Sequence, residues 1–194
     1  MLDIDLIDDA ATAAAALDPV RSRVLAALVE PGSATTLAAH LGLPRQKVNY
    51  HLRVLEERGL VELVEERRRG NFTERVVRSR AGSFVISPET LAEVQPNPDR
   101  HPDRVSAAWL LALAARLVRD VGALVTGARR TGTRVATWAV DGEVRFASAA
   151  DRAAFSRELE HAVTDLVRRY HCPDSDGART HRLVVAVHPH VPTT

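Results

Sequence analysis

The chain contains one cysteine and no long apolar run, and these two features limit the classes of protein to which it can belong. A single cysteine among 194 residues excludes an intramolecular disulfide framework. No stretch approaches the roughly 18 apolar residues that a membrane-spanning helix needs. The acidic residues 1–9 lack the basic start and unbroken apolar run of a signal peptide. These absences predict a cytoplasmic protein with no membrane partner.

Sequence signatures of catalysis are also missing. The chain has no glycine-rich phosphate loop, no nucleophile elbow and no paired-histidine metal motif. We therefore expect that it is not an enzyme, and we assign it no catalytic residues, no cofactor and no metal site.

The charge is balanced overall but uneven along the chain. The 26 basic and 25 acidic residues leave a net charge of +1, so affinity for an anionic partner must come from local asymmetry. That asymmetry is present, because residues 1–9 are acidic and residues 45–80 are rich in arginine.

Two short helical patterns flank Gly42. Thr35 or Thr36 can cap the first helix, and Gly42 suits its end. Pro44 suits the first position of the second helix, which we expect to run to Arg58. The sequence therefore predicts a helix-turn-helix motif.

The second helix has one apolar face and one polar face. At about 100° per residue, a buried stripe is predicted for Val48, Leu52 and Leu55. The side chains that share the opposite face are Gln46, Asn49, Tyr50 and Arg53. Amide side chains can bond adenine and arginine can bond guanine, so this face suits DNA base edges. Arg45 and Lys47 flank it and suit phosphates. The alternative is an ordinary amphipathic helix with a solvated polar side.

A β-hairpin is predicted directly after this helix. Two β-rich runs, residues 60–66 and 72–78, flank a short link. Arg67, Arg68 and Arg69 would form a cationic tip suited to phosphates or a narrow minor groove. A charge run is usually a solvated turn, but its position after a helix-turn-helix favours contact with DNA.

These segments resemble the ArsR-type winged helix-turn-helix regulators of bacteria. In that family an Asp-Pro-x-Arg segment, here at residues 18–21, opens the helix that leads to the reading helix. The pattern His-Leu-x-x-Leu-x-x-x-Gly-Leu-Val, here at residues 51–61, closes the reading helix. The match covers about residues 9–90 and implies a homodimeric, DNA-binding repressor or activator. The positions that correspond to the family's base-contacting helix are Arg45, Gln46, Asn49 and Tyr50.

The chain departs from this family at its metal site. Many members sense metals through a Cys-x-Cys pair in the first helix of the motif, and residues 35–40 here contain no thiol. A metal- or redox-responsive alternative uses a C-terminal cluster of His171, Cys172, Asp174, Asp176, His181, His188 and His190. These groups suit Zn²⁺ or Ni²⁺, although their spacings fit no compact ligand pattern.

The expected organisation is two domains joined by a linker. Four prolines in residues 87–102 exclude a single helix there. We therefore predict a winged helix-turn-helix domain at 1–90, a Pro-rich linker at 91–102 and a second domain at 103–194. The predicted fold is mostly α with a small β content (α+β).

The second domain is predicted as helix, hairpin, helix and strand. Apolar residues recur every three or four positions in residues 103–126, which indicates a helix ended by Gly127 to Gly132. A hairpin is expected around Asp141-Gly142, with strands at 134–140 and 143–146. A second long helix begins near Ser148, and a final strand covers 182–187.

The predicted function is sequence-specific regulation of transcription by a homodimer on double-stranded DNA with a near-palindromic operator. The second domain exceeds what dimerisation alone needs, so we expect it to dimerise the chain and to bind a small-molecule effector. The alternative is a pure dimerisation scaffold.

Overall fold

The computed structural model describes residues 1–69, 72–100, 103, 106–173 and 177–191. Its strands are β1 (Leu2–Ile7), β2 (Gly32–Ser33), β3 (Val61–Arg69), β4 (Phe72–Ser79) and β5 (Ala81–Ile86). Its helices are α1 (Ala10–Leu17), α2 (Pro19–Ala27), α3 (Ala34–Leu41), α4 (Arg45–Glu57), α5 (Ala107–Thr131) and α6 (Ala149–Tyr170). With 53% helix and 16% strand, the expected mixture of many helices and few strands is confirmed. Within the described ranges, no helix is long and apolar enough to cross a membrane.

The chain divides into two compact units, residues 1–135 and 136–194. The sequence places the boundary earlier, in the linker at 91–102, of which residues 101 and 102 lie outside the described ranges. In the structure, Pro88–Val94 and Pro98–Arg100 form 3₁₀ segments, and α5 packs against both. Helix α5 therefore belongs to the first unit.

Two aspartates start the first two helices. The Asp9 carboxylate accepts a hydrogen bond from the Thr12 amide at 2.8 Å and caps α1. The Asp18 carboxylate accepts from the amides of Val20 and Arg21 at 3.0 and 2.9 Å and caps α2. Because a helix leaves its first amides without internal partners, these bonds set where each helix begins. The segment at residues 18–21 thus opens a helix, as the family resemblance implies.

The core of the first unit lies where α2, α3 and α4 meet the three-stranded sheet. Its most deeply buried side chains are Val24, Leu28, Val48, Leu55, Leu60, Val61 and Val77. Each contributes roughly 1.5–3 kcal/mol when it leaves water completely. The periodic apolar side chains of α4 are thus part of the main core.

Two small sheets complete the first unit. Antiparallel β3 and β4 form the predicted hairpin, and β2 pairs with β4 on its other edge. Strand β1 pairs in parallel with β5, from Leu2 opposite Ala81 to Ile7 opposite Ile86. Sequence reasoning assigned no strand to residues 2–7, because a two-stranded parallel pair depends on a partner about eighty residues away.

Helix α5 is held against β1 by close packing and by charge. A Cβ atom at Gly122 would overlap the Leu6 side chain, so glycine permits this approach. The Asp5 carboxylate receives the Arg129 guanidinium and lies 3.3 Å from Arg80 Nε. The helix was predicted over residues 103–126, with its end in Gly127 to Gly132; it continues through Gly127 to Thr131 and ends at Gly132, whose φ is +66°. Tertiary contacts therefore outweigh the cost of a glycine inside the helix.

The second unit contains α6, and Ser148 begins it as expected. The Ser148 hydroxyl accepts from the Asp151 amide at 3.1 Å. The strands predicted at 134–140, 143–146 and 182–187 are wrong, since all three segments lie in the described ranges and none forms a strand ladder. Alternating apolar residues favour extended chain locally, whereas a strand also needs a hydrogen-bonded neighbour.

Removal of the α2 cap tests the packing of the first unit. We expect Asp18→Ala to lower the free energy of unfolding by about 1 kcal/mol, because two amides lose their acceptor. The thermal midpoint should fall by roughly 2–4 °C. Asp8→Ala removes an exposed carboxylate that caps no helix and is the matched control. Equal midpoints for the two variants would contradict this role of Asp18.

Candidate nucleic-acid interface

Helix α3, the first helix of the helix-turn-helix, has a local cap at each end. Ser33 caps α3, accepting from the Thr36 amide at 3.3 Å, while Thr36 Oγ1 accepts from the Ser33 amide at 2.9 Å. The expected cap at Thr35 or Thr36 is therefore wrong by two or three residues, because Thr36 is the reciprocal partner of a capping box. Gly42 ends α3 with φ +66°, as predicted.

The buried face of α4 follows the predicted period. Val48 and Leu55 are fully buried, and Leu52 is nearly so. His51 lies on the same face and is only 7% exposed. The helix is one residue shorter than predicted at each end, with Pro44 as its N-cap and Arg58 as its C-cap. Three turns of α4 are thus anchored in the core.

The four side chains that the sequence assigns to the outer face of α4 are exposed, and so are the two that flank it. The exposed residues are Arg45, Gln46, Lys47, Asn49, Tyr50 and Arg53. Helix geometry places Gln46, Asn49 and Arg53 on one side at spacings of three and four residues. The structure therefore presents amide and guanidinium groups together on a rigid, solvent-facing surface, which we name the reading face.

His51 brings a titratable group into the core behind the reading face. Burial lowers the pKa of the imidazole, while nearby Asp18 acts to raise it and Arg21 and Lys47 act to lower it. Its Nδ1 atom is buried and has no hydrogen-bond partner among the described residues. Its ring meets Tyr50 edge-on at a centroid distance of 5.3 Å. Protonation would therefore place a poorly compensated charge beneath the helix.

The wing follows α4 as the β3–β4 hairpin. Its register shifts between Leu63, which faces Val77, and Glu65, which faces Val76. The extra residue at position 64 is a β-bulge, a feature that bends a strand and increases its twist. The hairpin link was predicted at residues 67–71, but residues 67–69 belong to β3, and residues 70 and 71 lie outside the described ranges. The wing is therefore bent relative to the sheet at its base.

Acidic side chains partly neutralise the predicted cationic tip. The Arg67 guanidinium is paired with Glu65, which raises the pKa of Arg67. Arg68 is exposed, and the side chain of Arg69 lies outside the described residues. At the base of the wing, Arg78 donates to Glu62 at 2.5 Å and lowers the pKa of that carboxyl. Of the three predicted arginines, Arg68 is the one that is exposed and forms no ion pair with another described residue.

Two contacts that sequence reasoning missed tie the wing to the helices. The Arg75 guanidinium donates to both carboxylate oxygens of Glu56 at 2.9 and 2.6 Å, and this lowers the pKa of Glu56. The Ser33 hydroxyl donates to Glu74 Oε1 at 2.6 Å. The partners are 19 and 41 residues apart, so no local pattern indicates either contact. Only the hairpin register could have suggested them.

The C-terminal histidines and cysteine do not converge in the described ranges. Cys172 is exposed, and His190 Nδ1 lies 3.5 Å from a carboxylate oxygen of Glu143. His181 and His188 contact neighbouring backbone carbonyls. Among described residues, no three His, Cys, Asp or Glu side chains could share a metal ion. Asp174 and Asp176, two members of the proposed cluster, lie outside those ranges.

Comparison with known families agrees with this geometry. Residues 16–64 match the family model of a helix-turn-helix domain, of the ArsR and winged-helix regulator class. The match spans α2, α3, α4 and the start of β3. It describes a DNA-binding domain of regulators rather than an enzyme family. No curated protein matches the chain.

The buried histidine predicts a pH-dependent stability. In the unfolded chain the imidazole of His51 has a pKa of about 6.5, and burial in the folded protein lowers that pKa. The free energy of unfolding should therefore be unaffected by His51 above that pH and should fall as the pH drops below it. We expect the urea midpoint to decrease from pH 7.5 to pH 5.5, and to decrease less in His51→Leu. His40→Gln, at an exposed position of α3, is the control and should retain the wild-type pH profile.

Proposed function

We propose that the chain is a sequence-specific transcriptional regulator that binds double-stranded DNA as a homodimer. The observation that carries this proposal is the reading face: it is exposed and rich in amide and guanidinium groups, while the opposite side of α4 is fixed in the core. A major groove admits one α-helix and displays a distinct pattern of donors and acceptors for each base pair.

We assign base recognition to the side chains at the centre of the reading face. Gln46 and Asn49 each offer a donor and an acceptor that match the edge of adenine, and Arg53 can bond guanine. Tyr50 lies among them and is 61% exposed, so its ring and hydroxyl can both reach DNA. Arg45 and Lys47 flank this set and contact phosphates. These roles are proposed from exposure and side-chain chemistry.

The wing supplies contacts to the DNA backbone. Arg68 is exposed near the tip, and Arg67 and Arg69 are its neighbours on β3. Such contacts fix orientation and add affinity that depends on salt, without distinguishing sequences. Because Arg67 is already paired with Glu65, we expect it to contribute less than Arg68.

Helix α5 supports the proposed homodimer. One face of α5 carries an exposed apolar stripe of Ala114, Leu117, Val121 and Leu124. Spacings of three and four residues place these side chains in one row, and such a row suits packing against a second helix. A twofold dimer would present two reading faces to successive major grooves, with half-sites about 34–36 Å apart in a near-palindrome.

Residues 136–194 are proposed to respond to a small-molecule effector. Trp138, Val140 and Tyr170 are 84%, 75% and 75% exposed, so an apolar ligand or a partner surface could cover them. An effector changes DNA binding only if it prefers one arrangement of the dimer over another.

Selection of DNA from a random duplex pool tests the proposed function. The selected sequence and a scrambled version should then be compared by fluorescence anisotropy at several salt concentrations, with metal-stripped protein. We expect tight, salt-dependent binding that favours the selected DNA by at least about a thousandfold. Equal binding to both would contradict sequence-specific regulation.

Substitutions should separate base contacts from phosphate contacts. Asn49→Ala should weaken binding by about 1–3 kcal/mol and relax the base preference at one position. Arg68→Ala should weaken binding to all sequences alike and reduce the salt slope by about one unit. Anisotropy titrations on a panel of single-base variants measure both effects. The assignment is wrong if Arg68→Ala alone changes the sequence preference.

A charge in the α5 stripe should separate the protomers. We expect Leu117→Glu to raise the dimer dissociation constant by about a hundredfold or more, because two carboxylates would be buried across the twofold axis. Ala123→Glu is the control: it is exposed on the same helix, about 120° around the axis from Leu117. Sedimentation velocity measures the dissociation constant. If both variants dimerise like wild type, α5 is not the interface.

A further inference from the structure

We propose that the Glu56–Arg75 ion pair, supported by the Ser33–Glu74 hydrogen bond, is a clamp that sets the angle of the wing to the reading helix. In this assignment Glu56 and Arg75 are positioning residues, and they act on DNA through the wing. The inference rests on the proposed function, because the angle matters only if α4 and the wing bind the same DNA.

The clamp holds β4 from both faces at once. Glu74 and Arg75 are adjacent on β4, and successive side chains of a strand point to opposite faces. Glu74 reaches Ser33, the N-cap of α3, and Arg75 reaches Glu56 in the last turn of α4. One dipeptide of the wing is thereby connected to both helices of the helix-turn-helix.

These contacts lie where the backbone support of the wing ends. Strand β2 pairs with β4 only at Val76 and Val77, and the β-bulge lies opposite the same two residues. Beyond that point, towards the tip, the hairpin continues as a two-stranded ribbon. A two-stranded ribbon twists readily and has little stability of its own. Side-chain contacts at positions 74 and 75 are therefore well placed to fix its direction.

The geometry of the ion pair suits a positioning role. An arginine that donates two parallel bonds to one carboxylate is fixed in orientation as well as in distance. Glu66, directly across from Arg75 on β3, lies 3.7 Å from Arg75 Nε and adds a third carboxylate oxygen to the site. Both strands of the wing are thus connected to the C-terminal end of α4 through one guanidinium.

When the charge of Glu56 is removed, the direction of the change in DNA affinity distinguishes a positioning role from a purely electrostatic one. A carboxylate near DNA normally opposes binding, so neutralising Glu56 should raise affinity if the residue acts only through its charge. If Glu56 instead holds the wing in place, Glu56→Gln should lower affinity although the protein becomes more positive. Glu57→Gln is the matched control, because Glu57 is the next residue of α4, is exposed, and is recorded in no contact with the described part of the wing.

The first experiment compares these variants on the DNA selected by the wild-type protein. We expect Glu56→Gln to bind about five- to tenfold more weakly than Glu57→Gln and to show a salt slope smaller by about one unit, as a wing phosphate contact is lost. Equal affinities for Glu56→Gln and Glu57→Gln would overturn the clamp.

A second measurement needs no DNA. Spin labels at Lys47→Cys and Arg68→Cys, in a Cys172→Ser background diluted with unlabelled protein, report the distance between α4 and the wing by electron double resonance. We expect a narrow distance distribution in the labelled protein that retains Glu56 and in its Glu57→Gln variant. We expect a broad distribution in the Glu56→Gln variant. An unchanged distribution in Glu56→Gln would refute the clamp whatever the DNA result. If the distance distributions are as expected but the wild-type protein shows no sequence selectivity, the proposed function is refuted and the effect of the ion pair on the wing is not.

Discussion

The burial of one side of α4 is the constraint on which the rest of this structure depends. Val48, Leu52 and Leu55 take that side out of water, and a helix so anchored cannot rotate about its axis without exposing them. The polar side is therefore held outward in a single orientation. The cap at Ser33 fixes where the preceding helix α3 begins, and Gly42 fixes where it ends and the chain turns towards α4. The reading face follows from core packing before any contact with DNA is considered.

The wing adds a second surface whose placement relies on electrostatics more than on burial. Its paired strands carry glutamates among their arginines, and the ion pairs Arg67–Glu65, Arg75–Glu56 and Arg78–Glu62 leave little excess positive charge. Exposed ion pairs contribute little stability individually. The Arg75–Glu56 pair connects the wing to α4, whereas the Arg67–Glu65 and Arg78–Glu62 pairs lie within the hairpin. In the proposed function, the contribution of the wing to DNA affinity then depends chiefly on Arg68, which is exposed and forms no ion pair among the described residues.

The features that sequence reasoning predicted well are those that local patterns determine. The apolar period of α4 identified its buried and exposed faces. The Asp-Pro segment marked the start of α2, Gly42 marked the end of α3, and Pro44 marked the start of α4 to within one residue. The errors arise where distant residues decide. Helix α5 passes Gly127 because it is held along β1 near Gly122 and Arg129, and the predicted strands of the second unit lack a neighbour to pair with. The Glu56–Arg75 contact was missed for the same reason, since it requires both the hairpin register and the bulge.

The measurement that tests the central claim most directly is methylation interference on DNA selected by the protein. Methyl groups on guanine N7 lie in the major groove, whereas those on adenine N3 lie in the minor groove. If two copies of α4 read adjacent major grooves, guanine N7 methylation should block binding in two clusters about 10 base pairs apart. Interference confined to adenine N3, or spread evenly along the duplex, would contradict a reading role for the exposed face of α4.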